Sequence, residues 1–134
     1  MSFLPVYLDS SALLKLVLSE RETPALREAL ARWPDRVSSV LLHIECRRIV
    51  FRAGNPPAVV AKLEQELAGV TTIRLEEPVQ KLAAMIGPPR LRSLDAIHLA
   101  SALSIGDYPE AFVTYDERLA DAARAVGLNV LMPV

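Results

Sequence analysis

The chain has 134 residues, 51% of them hydrophobic and 23% charged, with 15 Lys+Arg against 16 Asp+Glu for a formal net charge of −1. That length and apolar content suit one folded domain over residues 1–134 and exclude an intrinsically disordered segment. The balanced charge excludes a polybasic tail, the longest stretch free of Asp, Glu, Lys and Arg is 11 residues (96–106), too short for the ~20 of a membrane span, and the single Cys46 excludes an internal disulfide and a cysteine zinc site. Residues 1–5 carry neither the basic nor the apolar run of a secretory leader, so the expected compartment is the cytoplasm.

Taken in chain order, residues 6–8 (Val-Tyr-Leu) predict a buried strand, and Ser10 or Ser11 can cap a helix through residue 18. Thr23 as N-cap with Pro24 behind it opens a helix through about residue 33. A short strand over 36–38 precedes a helix from about 39 to 53, stopped by Gly54. Pro56-Pro57 begins a helix that ends at Gly69. Residues 70–75 alternate as a strand, Pro78 starts a helix ending near Gly87, and Ser93 caps a helix through 105. Residues 111–115 form a strand, 117–126 a helix closed by Gly127, and 128–132 a last strand. Short apolar strands separated by helices predict a three-layer α/β/α sandwich with a central parallel sheet of about five strands. In such sheets ligands bind beyond the carboxyl ends of the strands.

Four acids stand out against this pattern. Asp9 and Asp116 each end an apolar run at the carboxyl edge of the sheet, where either can also cap the following helix. Asp95 lies in the first turn of a helix otherwise built from Leu94, Ile97, Leu99, Ala100, Leu103 and Ile105. The helix dipole favours an anion there by only ~0.3–1 kcal/mol, less than the several kcal/mol that burying an unpaired carboxylate costs. Pairing with Arg90 or Arg92 is the structural alternative. Glu45 sits among Leu41, Leu42, Ile44, Cys46 and Ile49, with Arg48 as an i,i+3 partner in the ordinary reading. Should the four converge, each pair ~5 Å apart repels by roughly 3 kcal/mol at an effective dielectric of 20. Such a cluster takes up protons or a cation, and an all-oxygen donor set favours Mg²⁺ or Mn²⁺ over zinc. His43 and His98, in apolar helical settings, read as core residues or as supports behind the acids.

The blocks 7–16, 39–45, 94–100 and 113–119, in this order and spacing, resemble the PIN-domain nucleases, specifically the VapC-type toxins of toxin–antitoxin pairs. The resemblance spans essentially the whole chain. It implies that Asp9, Glu45, Asp95 and Asp116 coordinate Mg²⁺ or Mn²⁺ for hydrolysis of RNA phosphodiester bonds, with Ser10 and Thr114 supporting them. Where some family members carry a further acid, this chain has Arg118, which bears on a second metal. The resemblance also implies a cognate VapB-type antitoxin and a toxin homodimer; a non-catalytic PIN module binding RNA or protein is the alternative.

Substrate contacts are sparser in the sequence. Twelve arginines against three lysines suit bidentate phosphate contacts, with Arg90 and Arg92 before Asp95 and Arg48 on the Glu45 helix as RNA-binding candidates. Aromatics at 5% argue against a base-stacking platform. Trp33 and the helix over 58–67 are candidate interaction surfaces. The five glycines, with none following residue 8 closely, exclude a dinucleotide-binding loop.

Overall fold

A computed structural model describes residues 4–134. Its elements are β1 (Val6–Leu8), α1 (Ser10–Val17), α2 (Thr23–Leu30), β2 (Arg36–Ser39), α3 (Leu41–Arg52) and α4 (Pro57–Ala68). After them come β3 (Val70–Ile73), α5 (Glu77–Ala83), α6 (Ser93–Leu103), β4 (Ala111–Val113), α7 (Glu117–Ala125) and β5 (Val130–Leu131). The five strands form one sheet in the order β3-β2-β1-β4-β5, and every pairing is parallel. The three-layer α/β/α architecture expected from the strand–helix alternation is the one observed.

Side-chain alternation on the central strands divides the interior in two. Val6 and Leu8 of β1, with Ala111 and Val113 of β4, join a core built by Leu13, Leu16, Leu26, Leu30, Leu42, Cys46, Leu63 and Leu67 from α1–α4. Tyr7 and Phe112 point the other way, into Leu99 and Ala102 of α6 and Leu119, Ala122 and Ala123 of α7. Both central strands are buried along their whole length, which is why they read as unbroken apolar triplets. The connections from β1 to β2 to β3 step one way along the sheet and those from β3 to β4 to β5 step the other. Right-handed crossovers therefore place α1–α4 on one face and α5–α7 on the other.

Several local expectations are revised. Of the three candidate caps for α1, Asp9 and not Ser10 or Ser11 fills the place, its carboxylate accepting from the Ala12 N–H as its position at the strand end allowed. Thr23 opens α2 from within: its hydroxyl turns back to donate to the Lys15 carbonyl at 2.7 Å and accept from Glu20 N–H at 3.0 Å. Ser93 is likewise the first residue of α6, preceded by Arg92, which supplies no side-chain cap. The strands end earlier than the β-branched and aromatic runs suggested, because residues 114–115 and 74–75 leave the ladder to form the carboxyl edge.

Two surface expectations also change. Trp33 packs half-buried against the core, and Leu63 and Leu67 of α4 are interior. On α3, Ile44 and Phe51 stand exposed on one face, seven residues apart, with Ile49 exposed on another. Buried Glu66 faces three cations, Arg27 and Arg36 at 3.5 Å and Lys62 at 3.3 Å, tying α2, β2 and α4 together. No helix among the described residues is long and apolar enough to cross a membrane.

Candidate active site at the carboxyl edge of the sheet

The strand order reverses between β1 and β4, and the crevice at such a switch point is where open α/β sheets bind ligands. Leu8 pairs in register with Val113, so the next residues, Asp9 and Thr114, emerge side by side. Asp9 is only 2% exposed. Its Oδ1 accepts from the Ser11 hydroxyl at 2.7 Å and from Ala12 N–H at 2.9 Å, and its Oδ2 accepts from the Thr114 hydroxyl. Three of its roughly four lone-pair sites are thereby filled, so the carboxylate is held rigidly with one site to spare. Burial pushes the Asp9 carboxyl above its usual range, against the pull of His98 and of the Thr114 and Ser11 hydroxyls.

Ser11 and Thr114 also weld the two strand ends together. Tyr115 N–H donates to the Ser11 hydroxyl at 2.9 Å and Asp116 N–H to the Thr114 hydroxyl at 3.0 Å. The resulting turn presents Asp116 as the N-cap of α7, its Oδ1 accepting from the N–H groups of Arg118 and Leu119. Capping leaves Asp116 Oδ2 without a hydrogen-bond partner among the described residues.

Glu45 does not pair with Arg48. Its Oε1 lies 2.7 Å from His98 Nε2, and its Oε2 accepts from the Ser10 hydroxyl at 3.4 Å. Behind His98 the chain continues inward: Nδ1 is 2.7 Å from the Tyr7 hydroxyl, which accepts from Ser39 N–H at 3.1 Å. Burial pushes the Tyr7 phenol far up, so it keeps its proton. The Tyr7 hydroxyl and the Glu45 carboxylate thus hold the two ring nitrogens of His98 from opposite sides. The Tyr7 ring is itself fixed, stacked on Phe112 at 5.1 Å and edge-on to His98.

Asp95 is half-buried at the start of α6 and makes no side-chain hydrogen bond or ion pair among the described residues, so neither Arg90 nor Arg92 pairs with it. Burial and then the charge of Asp116 push its carboxyl above the usual range; His98 and Arg92 oppose this and Asp9 adds to it. Asp95 thus lies within electrostatic reach of both Asp116 and Asp9. Glu45 comes to the same edge from α3, reaching Ser10 of α1 and His98 of α6.

No three His, Cys, Asp or Glu side chains among the described residues stand where they would already hold a metal ion. The donor chemistry nonetheless fits a hard divalent cation. It is made of carboxylate oxygens with neighbouring hydroxyls, and the unpaired Asp95 bears the mutual repulsion that a cation relieves. Cys46, buried behind Glu45 with its thiol pushed up to about 12, offers no thiolate.

Arg90, Arg92 and Arg118 line one groove beside Asp95, whereas Arg48 is exposed on α3 away from it. The sequence marked Tyr7, Ser11 and Ser39 for no role in the site, and gave His98 no partner. Tyr7 left a faint signal, as a polar-tipped residue inside a buried strand whose hydroxyl must find partners.

Residues 6–125 match the model of the PIN domain. The chain is 44% identical over 132 residues to Ribonuclease VapC47 of Mycobacterium tuberculosis, covering 96% of each. Its fold resembles that of Mycobacterium tuberculosis VapC20, described as a Sarcin-Ricin loop cleaving toxin, with a TM-score of 0.72 at 16% identity, over 96% of this chain and 99% of that one. It also resembles a chain of a toxin–antitoxin complex from Klebsiella pneumoniae, with a TM-score of 0.70 at 19% identity, over 96% and 98%.

Proposed function

Because the chain belongs to the PIN-domain family, we propose that it is a VapC-type endoribonuclease, the toxin of a toxin–antitoxin pair, with Asp9, Glu45, Asp95 and Asp116 as its metal-binding acids. The observation that carries this reading is Asp95: a half-buried carboxylate without a partner, made costlier by the charges of Asp116 and Asp9. Leaving an acid in that state is destabilising, and a bound cation turns the cost into affinity.

The chain's own groups prepare the site before any ligand arrives. Three donors hold Asp9, the capping bonds hold Asp116, and the Tyr7–His98 chain with Ser10 holds Glu45. Bound Mg²⁺ or Mn²⁺ would supply a nucleophilic water and neutralise charge on the phosphodiester. Thr114 acts through Asp9, and Ser10 through Glu45. The fold shared with a chain of the Klebsiella pneumoniae toxin–antitoxin complex supports a VapB-type antitoxin as partner. The exposed Ile44, Ile49 and Phe51 on α3 supply apolar surface for that partner or for a homodimer. A cytoplasmic location accords with an RNA substrate.

The test is cleavage of RNA by the purified chain with Mg²⁺ or Mn²⁺. Activity should vanish in excess chelator and in Asp95→Asn, while that variant melts at or above the temperature of the parent. Undiminished cleavage in either condition would sink the metal-dependent reading.

A further inference from the structure

The Asp95 groove, about 510 Å³, runs between the loop before α6 and the outer side of α7, with Arg90 and Arg92 on the loop and Arg118 on the helix. All three arginines are exposed. None joins an ion pair among the described residues, although Arg27, Arg36, Arg47 and Arg124 each find a carboxylate. Three guanidinium groups around one groove repel one another and keep their forks of donors unspent, an arrangement that an anion with several oxygens relieves.

The loop is also built to hold its arginines still. Gly87 has φ +76°, in the left-handed region, and a Cβ there would come within 2.8 Å of Leu91 Cδ2. Leu91 N–H donates to the Pro88 carbonyl at 2.9 Å, and the Leu91 side chain packs against the core beneath α6 and α7. Arg90 and Arg92 flank this anchored residue. The floor is aliphatic, with no aromatic ring to stack a base, so the chemistry on offer is recognition of phosphates and not of bases.

We propose that this groove seats the phosphate backbone of a single RNA strand, with Arg90, Arg92 and Arg118 as the clamp that delivers one phosphodiester to Asp95. The assignment rests on the ribonuclease reading for its ligand class. It moves substrate binding away from Arg48 and makes Arg118 a substrate contact.

Binding of a fluorescein-labelled, mixed-sequence single-stranded RNA to the full chain, read by anisotropy in excess chelator over a salt series, tests the clamp without requiring cleavage. Replacing Arg90, Arg92 and Arg118 together by Gln should weaken binding by tenfold or more. It should also flatten the slope of log K against log [salt] by about 2, some 0.7 for each lost phosphate contact. The charge-matched variant with Gln at Arg21, Arg32 and Arg52 should keep the parent slope to within about 0.7. Gly87→Ala, which keeps every charge but disturbs the loop, should weaken binding several-fold, with folding of all variants checked by circular dichroism. Equal losses in the two triple variants, or no RNA binding by the parent at roughly 50 mM salt, would overturn the clamp. So would loss of binding to a labelled polyglutamate peptide with RNA binding intact, which would make the groove a seat for an acidic protein segment. A parent that binds RNA through the clamp yet never cleaves it would refute the ribonuclease reading and leave the clamp standing.

Discussion

His98 Nε2 stands 2.7 Å from Glu45 Oε1, joining α6 to α3 across 53 residues of chain, and the imidazole is only 2% exposed. Tyr7 holds the far ring nitrogen and Ser39 N–H holds Tyr7. A carboxylate gripped at the end of such a chain has one orientation, which is what a metal-binding acid needs from its supports.

His98→Gln keeps an N–H donor near the position of Nε2, whereas His98→Leu leaves Glu45 and the Tyr7 hydroxyl without it. The Gln variant should retain RNA cleavage within about tenfold, and the Leu variant should lose 10–100-fold in activity and Mn²⁺ affinity. Stranding buried polar groups should also cost the Leu variant about 1–3 kcal/mol in urea denaturation. Single-turnover cleavage and Mn²⁺ titration separate the two effects; equal Mn²⁺ affinity in the Leu variant and the parent would remove His98 from the site.

The Asp9 and Asp95 carboxyls both lie above their ordinary range, chiefly through burial. The folded protein therefore binds their protons more tightly than the unfolded chain. Their contribution favours the metal-free fold fully below about pH 4, the unfolded carboxylate pKa, and is lost as pH rises through the raised folded values. At neutral pH Asp95→Asn should raise the metal-free melting temperature by about 2 °C, the shift from roughly 0.5 kcal/mol once solvent screening of a half-exposed group is allowed for. Added Mn²⁺ should stabilise the parent more than the variant. Differential scanning fluorimetry reads both shifts, and a variant that melts well below the parent would contradict the repulsion at this site.

Cys46 lies fully buried on α3, and burial first, then the charges of Glu45 and Asp9, push its thiol up to about 12. Almost no thiolate forms near pH 8, so iodoacetamide should leave the native protein unmodified over hours and react promptly in denaturant. Mass spectrometry after timed quenching checks this. Rapid labelling of the native state would instead show that α3 opens locally, loosening Glu45 with it.

The strands were legible because β1 and β4 are buried on both faces and hence apolar at every position. The four acids stood out for the converse reason, as ionisable groups at the ends of apolar runs or within apolar helices; near neighbours cap Asp9 and Asp116, whereas Glu45 finds its partners far along the chain. Helix starts were read less well. At Thr23 and Ser93 a capping residue type stands one position inside the helix, and the Thr23 hydroxyl finds backbone partners on the preceding turn. Glu45 looked like a partner of Arg48 because an i,i+3 spacing is visible in the sequence and a contact 53 residues away is not.

Local pattern alone determined the elements and the parallel three-layer architecture and singled out the four acids as unusual, since periodicity, capping and the cost of buried charge act over a few residues. Strand order was left to the tertiary structure. By setting β1 beside β4, it brings Asp9 under the Thr114 hydroxyl, sends α3 and α6 to one edge so that His98 meets Glu45, and gathers Arg118 with Arg90 and Arg92. Those meetings depend on the direction of each crossover and the face it covers, and handedness and packing decide both only once the whole sheet has formed.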